Sequence, residues 1–273
     1  MAAQTEISNM ALFCDFENVA LGVRDAKYAQ FDIMKVLERL LLKGSIVVKK
    51  AYCDWDRYKE FKATMHEAAF ELIEIPHVRQ SGKNSADIRL VVDALDLCYT
   101  KSHVDTFVII SGDSDFSPLV SKLRENNKYV IGIGVKDSTS NLLSANCDEF
   151  IFYDDLVLEQ EAKQKRKAKK APPKDSADKK KTASKNDDDK RQEALDFIVE
   201  TVEALIAERG SDEKIWGSLV KNTMQRRKPG FTESSYGYRS FKELVEDAQK
   251  HKLLIVVRDE KSGPYTIRLA TAD

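Results

Sequence analysis

Hydrophobic and polar positions alternate between strand-like and helix-like patterns over residues 8–158. Short apolar runs typical of buried strands alternate with stretches whose apolar residues recur at helical spacing. The runs are MALFCDF, IVVKKAYCD, ELIEIPHV, TFVIIS, YVIGIGV and EFIFYDDL. The helical stretches include FDIMKVLERLLLKG, RYKEFKATMHEAAF, SADIRLVVDALDLCYT, DFSPLVSKLRENN and the short STSNLLSANC. This alternation predicts an α/β domain with a mostly parallel sheet and helices on both faces, and ligands bind such sheets beyond the carboxyl ends of the strands.

A different pattern follows. Residues 161–190 contain no Leu, Ile, Val, Phe, Tyr or Trp, and carry 12 Lys and Arg against 6 Asp and Glu. Such a segment buries too little apolar surface to offset its ordering entropy, so we predict a disordered basic linker over 159–190. Residues 191–270 then show three amphipathic helices and two β-rich runs around a turn, which predicts a small winged-helix domain.

Composition narrows the class of protein. The 273 residues are 42% hydrophobic and 33% charged, with a net charge of −1, and no run of about 18 apolar residues predicts a membrane span. The first residues lack a basic stretch followed by an apolar core, and the four cysteines show no CxxC spacing. We therefore expect a cytoplasmic protein with reduced thiols, no membrane partner and no zinc site.

Acidic residues lie at the carboxyl ends of the predicted strands, where sheets of this class bind their ligands. Asp15 ends the first strand, Asp113 and Asp115 follow the VIIS strand, and Asp87 opens a helix. Close carboxylates repel one another unless a cation lies between them, and an all-oxygen set favours Mg²⁺ or Mn²⁺. The four residues are therefore candidates both for catalysis and for binding that ion. Taken singly, Asp15 and Asp113 could instead be turn formers at the strand ends, Asp115 an N-cap of the following helix, and Asp87 an acid that is favourable at a helix start.

Two neighbouring stretches leave alternatives open. Lys83 and Asn84 lie in a Gly-containing loop before Asp87 and could bind a substrate phosphate, or could form an ordinary polar surface loop. Asp93 and Asp96 lie further along the same helix, where we expect a solvated face.

Three motifs in this order, CDFENV, GKNSADIRLVVDAL and SGDSDFSPLV, resemble the signatures of the NYN domain, a branch of the PIN-like nucleases. The resemblance covers about residues 9–155. It implies that Asp15, Asp87, Asp113 and Asp115 bind Mg²⁺ or Mn²⁺ for RNA hydrolysis. It also implies that Asn18 is a polar partner of the site and that Ser111 fills a small hydroxyl position.

The C-terminal segment resembles an OST-HTH (LOTUS) domain, through IWGSLVKNTMQRRKPGFTESSYGYRSFKELVEDAQKHKLL and the closing hairpin. This resemblance implies binding of RNA, in several cases G-rich RNA, or of protein partners. Basic and aromatic side chains of this stretch could bind phosphates and stack on bases, although Tyr238 also fits a core position. The candidates are Arg226, Arg227, Lys228, Tyr236 and Tyr238.

Together these features predict a metal-dependent endoribonuclease whose C-terminal module recruits RNA, helped by the basic linker. The principal alternative is a non-catalytic RNA-binding adaptor, in which the first domain is a platform and the second reads G-rich RNA. A phosphatase with an aspartate nucleophile is a weaker third, because Asp15-Phe16-Glu17-Asn18 lacks the DxDx[TV] pattern. The sequence leaves homo-oligomerisation open.

Overall fold

The computed structural model describes residues 8–75, 85–170, 184–210, 213–258 and 265–270. The chain folds into two compact units, Met1–Ala171 and Pro172–Asp273.

The first unit is built on a six-stranded sheet with the order β3-β2-β1-β4-β5-β6. Every neighbouring pair in this sheet is parallel. The strands are β1 (Ser8–Asp15), β2 (Gly44–Cys53), β3 (Glu71–Glu74), β4 (Thr106–Ile110), β5 (Tyr129–Gly134) and β6 (Glu149–Phe152). The predicted α/β class with a mostly parallel sheet is confirmed.

Helices cover both faces of this sheet. They are α1 (Phe16–Asp25), α2 (Ile33–Lys43), α3 (Lys59–Glu67), α4 (Ser85–Thr100), α5 (Ser117–Glu125), α6 (Asn141–Asn146) and α7 (Tyr153–Lys170), with 3-10 turns at Ser114–Phe116 and Lys136–Ser138. The hydrophobic pattern did not predict α1. It also extended the last strand over residues that begin α7, where Asp154 and Asp155 favour the start of a helix.

Alternation along β1 explains the two cores. Met10, Leu12 and Cys14 face a cluster that contains buried residues of α1, α2, α3 and α7. Ala11 and Phe13 face the opposite cluster, with residues of α4, α5 and α6. Because both faces of this central strand are covered, it is apolar and buried from Met10 to Cys14, where it reaches Asp15.

The second unit contains three helices followed by a two-stranded antiparallel sheet, β7–β8. The elements are α8 (Ser184–Arg209), α9 (Gly217–Arg227), α10 (Phe241–Lys250), β7 (Leu254–Arg258) and β8 (Tyr265–Leu269). A bridge between Trp216 and Thr266 adds a short third segment to the sheet. Side chains from all three helices and from both strands share one apolar core. This order of elements is the one predicted for a winged helix.

The predicted linker differs from the structure at both of its ends. Helix α7 continues to Lys170 and α8 begins at Ser184, whereas the composition predicted no structure over 159–190. Lys, Ala, Gln, Glu and Arg have high helix propensity, so a segment without core-forming residues can still extend a helix that is anchored elsewhere. Within the described residues, no helix combines the length and apolarity needed to cross a membrane.

Candidate active site

The candidate site lies where the strand order of the first sheet reverses. β1 and β4 are neighbours in the middle of the sheet, and the chain leaves them toward opposite edges. In sheets of this order, ligands bind beyond the carboxyl ends of these two strands. Asp15 is the last residue of β1, and Ser111 directly follows β4. The topology therefore brings the first and third predicted motifs to one point.

Asp15 is held in place from both strands. The residue is buried, with 7% of its surface exposed. Ser111 Oγ donates a hydrogen bond to Asp15 Oδ2 at 3.0 Å, and the Asn18 backbone N–H donates to Asp15 Oδ1 at 3.4 Å. The second contact makes Asp15 the N-cap of α1. Asn18 in turn accepts a hydrogen bond from Gly112 N at its Oδ1, at 2.8 Å. The structure thus brings Asn18 and Ser111 together with Asp15, and their part in a functional site stays a prediction.

The second pair of acids lies on the turn after β4. Asp113 N donates to Ser111 Oγ at 3.2 Å, and Asp115 N donates to Asp113 Oδ1 at 2.9 Å. Asp113 is therefore the N-cap of the 3-10 turn, a role considered for Asp115 from the sequence. Asp113 is half-buried and Asp115 is exposed. The turn is tight, since a Cβ at Gly112 would lie 2.6 Å from the carbonyl oxygen of Ser138.

The acids of the candidate site also affect one another through their charges, which raise the pKa values of Asp15 and Asp87. Burial, followed by the charge of Asp87, raises the pKa of Asp15 from 3.8 to about 7, with a smaller contribution from Asp113. Burial, followed by Asp113 and Asp115, raises the pKa of Asp87 to about 6. Glu17 contributes in the same direction to Asp87. The four predicted acids therefore occupy one region, and mutual repulsion disfavours their simultaneous ionisation.

The chemistry of this donor set fits a hard divalent cation, because the site offers carboxylate oxygens and their repulsion would be relieved by positive charge. Across the ranges that the structure covers, however, no three His, Cys, Asp or Glu side chains are grouped closely enough to hold an ion. Side-chain rotation would therefore have to accompany metal binding. Lys83 and Asn84, the predicted phosphate contacts, lie outside the described residues.

Glu17, in the first turn of α1, was not among the residues singled out from the sequence. Its position two residues after Asp15 was the available signal, since the turn after a strand end keeps nearby side chains at the same edge of the sheet. Asp93 also differs from expectation. It is part of a hydrogen-bonded network, accepting from Tyr52 at 2.9 Å, Lys50 at 3.3 Å and Arg89 at 3.0 Å, instead of lying on a solvated face.

In the second unit, two predicted RNA contacts form ion pairs with α8. Arg227, with a side chain 10% exposed, contacts Glu200 at 2.9 Å. Arg227 Nη1 also donates to Thr201 Oγ1 at 2.9 Å. Lys228 Nζ lies 2.8 Å from Glu193 Oε1. These contacts partly neutralise the charge that the sequence suggested for phosphate binding.

The other predicted contacts are also engaged within the second unit. Arg226 Nη2 donates to Thr223 Oγ1 at 2.9 Å. Tyr238 is buried, and its hydroxyl donates to Asp247 Oδ2 at 2.8 Å, which is the core alternative considered from the sequence. Tyr236 is half-buried, its hydroxyl accepts from Lys228 Nζ at 2.7 Å, and its ring stacks on Phe231 with centroids 4.8 Å apart.

Comparisons with known proteins agree with the motifs of the first unit. The family model of the NYN domain matches residues 9–156. An uncharacterized protein of Methanocaldococcus jannaschii is 27% identical over 142 residues, which cover 52% of this chain and 56% of that protein. The meiosis regulator and mRNA stability factor 1 of Xenopus tropicalis is 25% identical over 154 residues, 56% of this chain and 9% of that protein. The chain thus covers about half of the first relative and a small part of the second.

A solved structure is also similar to part of this chain. It is a protein of unknown function from Vibrio parahaemolyticus, 27% identical, with a TM-score of 0.49, covering 56% of this chain and 96% of that one.

Proposed function

Since the chain belongs to the NYN domain family, we propose that it is a metal-dependent endoribonuclease that hydrolyses RNA phosphodiester bonds at the edge formed by β1 and β4. The observation that carries the proposal is the buried carboxylate of Asp15, fixed by Ser111 and electrostatically coupled to Asp87 and Asp113. Burial of an acid whose pKa is strongly raised lowers the stability of the fold, so folding does not explain its presence. Such groups concentrate at functional sites, and this one lies where the strand order reverses.

Asp15, Asp87, Asp113 and Asp115 would hold Mg²⁺ or Mn²⁺. Bound there, the ion would supply an activated water and would neutralise the charge that develops on the phosphate. Ser111 orients the carboxylate of Asp15 through the hydrogen bond at 3.0 Å. Asn18 joins the start of α1 to the turn after β4 by accepting from Gly112 N, so it keeps the two halves of the site together.

We propose further that the second unit is an OST-HTH (LOTUS) module that recruits the substrate RNA and favours G-rich sequences. Its order of elements, three helices and a hairpin, supports this assignment. Lys228 is the most exposed of its candidate contacts, since Tyr238 is buried and the side chain of Arg227 is largely enclosed by its ion pair. The four free cysteines fit a cytoplasmic location.

The test is cleavage of labelled single-stranded RNA by the full chain with Mn²⁺ or Mg²⁺. Asp113→Asn should abolish cleavage, whereas Asp25→Asn, an exposed acid paired with Arg24, should retain it. Addition of EDTA should stop the wild-type reaction. If wild type and Asp113→Asn leave the same residual activity, the protein is not the source of that activity and the nuclease proposal fails.

The second candidate function is a non-catalytic RNA-binding adaptor. The observation that favours it is that no three metal-binding side chains are grouped closely enough to hold an ion in the described ranges. Tight binding of G-rich over A/U-rich RNA by the full chain, without cleavage in Mn²⁺ and with no change on Asp113→Asn, would support the adaptor.

A further inference from the structure

A basic side chain lies at the rim of the candidate active site and takes no part in the metal site proposed above. We propose that Arg57 binds a backbone phosphate of the RNA beside the bond to be cleaved, and that Glu17 positions its guanidinium. This inference rests on the proposed function, because it specifies how the same site would hold a polyanionic substrate.

Topology places Arg57 at the correct edge of the sheet. Arg57 lies on the turn that follows β2, and β2 is the parallel neighbour of β1. The register pairs Asp15 with Tyr52, one residue before the end of β2. The turn therefore leaves the sheet beside Asp15, on the side opposite Asp113 and β4.

The turn that carries Arg57 is anchored to the site. Trp55 is buried, its backbone N–H donates to Glu74 Oε1 at 2.9 Å, and its Nε1 donates to the Ile73 carbonyl at 3.1 Å. Its ring lies 4.9 Å from that of Phe16, the residue directly after Asp15. The Arg57 N–H also closes the turn onto the Asp54 carbonyl at 3.0 Å. The main chain of Arg57 is therefore fixed relative to Asp15 before any ligand binds, which reduces the entropy lost on binding.

Glu17 holds the side chain of Arg57 by an ion pair at the edge of the sheet where Asp15 lies. Arg57 Nη1 lies 3.0 Å from Glu17 Oε1, and Glu17 is close enough to Asp87 to raise its pKa. Adding a fifth acid to this region increases repulsion, and an ion pair between exposed side chains contributes little to stability. Folding stability therefore does not explain Glu17, whereas positioning the Arg57 guanidinium at the rim of the site does.

The guanidinium remains available for a phosphate. The Arg57 side chain is 51% exposed. Within the described residues it makes one ion pair, through Nη1, whereas a guanidinium has five N–H donors in a planar fork that matches phosphate oxygens. Arg57 can thus bind Glu17 and a phosphate simultaneously.

Binding can be measured separately from cleavage. Fluorescence anisotropy with a short labelled oligouridine, in Mn²⁺ and an Asp113→Asn background, gives Kd over a series of salt concentrations. Arg57→Met should weaken binding about tenfold at low salt and reduce the slope of log Kd against log salt by about 0.7. The matched control is Arg124→Met, since Arg124 is 47% exposed and paired with Asp148 at 2.9 Å, near the end of α5. Equal Kd values and slopes for the two variants would overturn the proposal.

The role of Glu17 is tested by comparing Glu17→Ala with Glu17→Gln in the cleavage assay. Both variants remove the same charge, but the Gln amide oxygen can still accept from Arg57. We expect a higher KM for Glu17→Ala than for Glu17→Gln, with similar kcat; equal KM values would refute positioning. The two proposals can fail separately. If the wild-type protein never cleaves RNA but Arg57→Met loses RNA binding, the nuclease proposal is refuted and the phosphate contact stands. If the wild-type protein cleaves RNA but Arg57→Met has an unchanged Kd, the phosphate contact is refuted and the nuclease proposal stands.

Discussion

Replacing Asp15 by Asn should stabilise the metal-free protein at neutral pH although it removes a residue of the proposed site. The carboxyl of Asp15 has a pKa raised from 3.8 to about 7, chiefly by burial and then by Asp87. The folded state therefore binds more protons than the unfolded state between about pH 4 and pH 7. In that window, stability falls as pH rises, and it stays low above pH 7.

The size of the effect follows from the same values. Each unit of pKa corresponds to about 1.4 kcal/mol, so a pKa raised from 3.8 to about 7 costs the folded state up to about 4 kcal/mol at pH 8. Asn caps helices about as well as Asp, so the start of α1 should survive the change. We expect Asp15→Asn to be more stable than wild type by about 1–3 kcal/mol at pH 8, with a smaller difference at pH 5.

The assay is urea unfolding in EDTA at pH 5 and pH 8. The chain has two tryptophans, Trp55 in the first unit and Trp216 in the second. Fluorescence in a Trp216→Phe background would therefore report the first unit alone. Asp25→Asn is the control and should leave the pH dependence unchanged. If Asp15→Asn loses stability between pH 5 and pH 8 as steeply as wild type does, burial of a charged Asp15 is not the cause, and the electrostatic reasoning is refuted.

Three further measurements test the acidic site, the turn after β4 and an ion pair of the second unit. The affinity for Mn²⁺ should tighten about 20-fold between pH 6 and pH 8, because two acids with pKa values of about 7 and about 6 must lose protons; a flat profile in calorimetry would contradict this. Gly112→Ala should destabilise the first unit by about 1–3 kcal/mol in urea and reduce cleavage, since its Cβ would meet the Ser138 carbonyl oxygen at 2.6 Å; wild-type behaviour would show that the turn can relax. Arg227→Met should destabilise the second unit by about 1–3 kcal/mol by removing the ion pair with Glu200 and the hydrogen bond to Thr201, while exposed Arg239→Met should not; equal urea midpoints for the two variants would show that these contacts add no net stability.

The fold of the first unit was predictable because the strand signals were strong. The run TFVIIS, for example, forms β4, which is buried throughout, and the polar Ser111 follows at its carboxyl end. Asp15 and the turn after TFVIIS could meet only if their two strands were neighbours, since adjacent parallel strands end at one edge, and β1 and β4 are such neighbours. No local sequence pattern predicts the order of the strands in the sheet. That order makes β1 and β4 neighbours, so the position of the site could not be predicted from the strand signals alone.

Other features depended on tertiary contacts that spacing does not reveal. Arg227 looked like a free phosphate ligand, yet Glu200, 27 residues earlier in the chain, neutralises it. Asp93 was expected on a solvated face, but the Tyr52 hydroxyl, on β2, donates a hydrogen bond to its carboxylate. The importance of Glu17 and Arg57 likewise arises from a contact between residues 40 positions apart.

The passage from β1 to α1 contains no connecting residue, because the strand ends at Asp15 and the helix begins at Phe16. One side chain therefore ends a strand, caps a helix and supplies a carboxylate to the site. An insertion here would separate those roles, so this end of the site cannot diversify by changes in length. The turn after β2, which carries Arg57, joins β2 to α3 through several residues and has that freedom. Variation in how the site accommodates different RNAs should therefore accumulate at the β2 turn, while the acidic end stays constant in length.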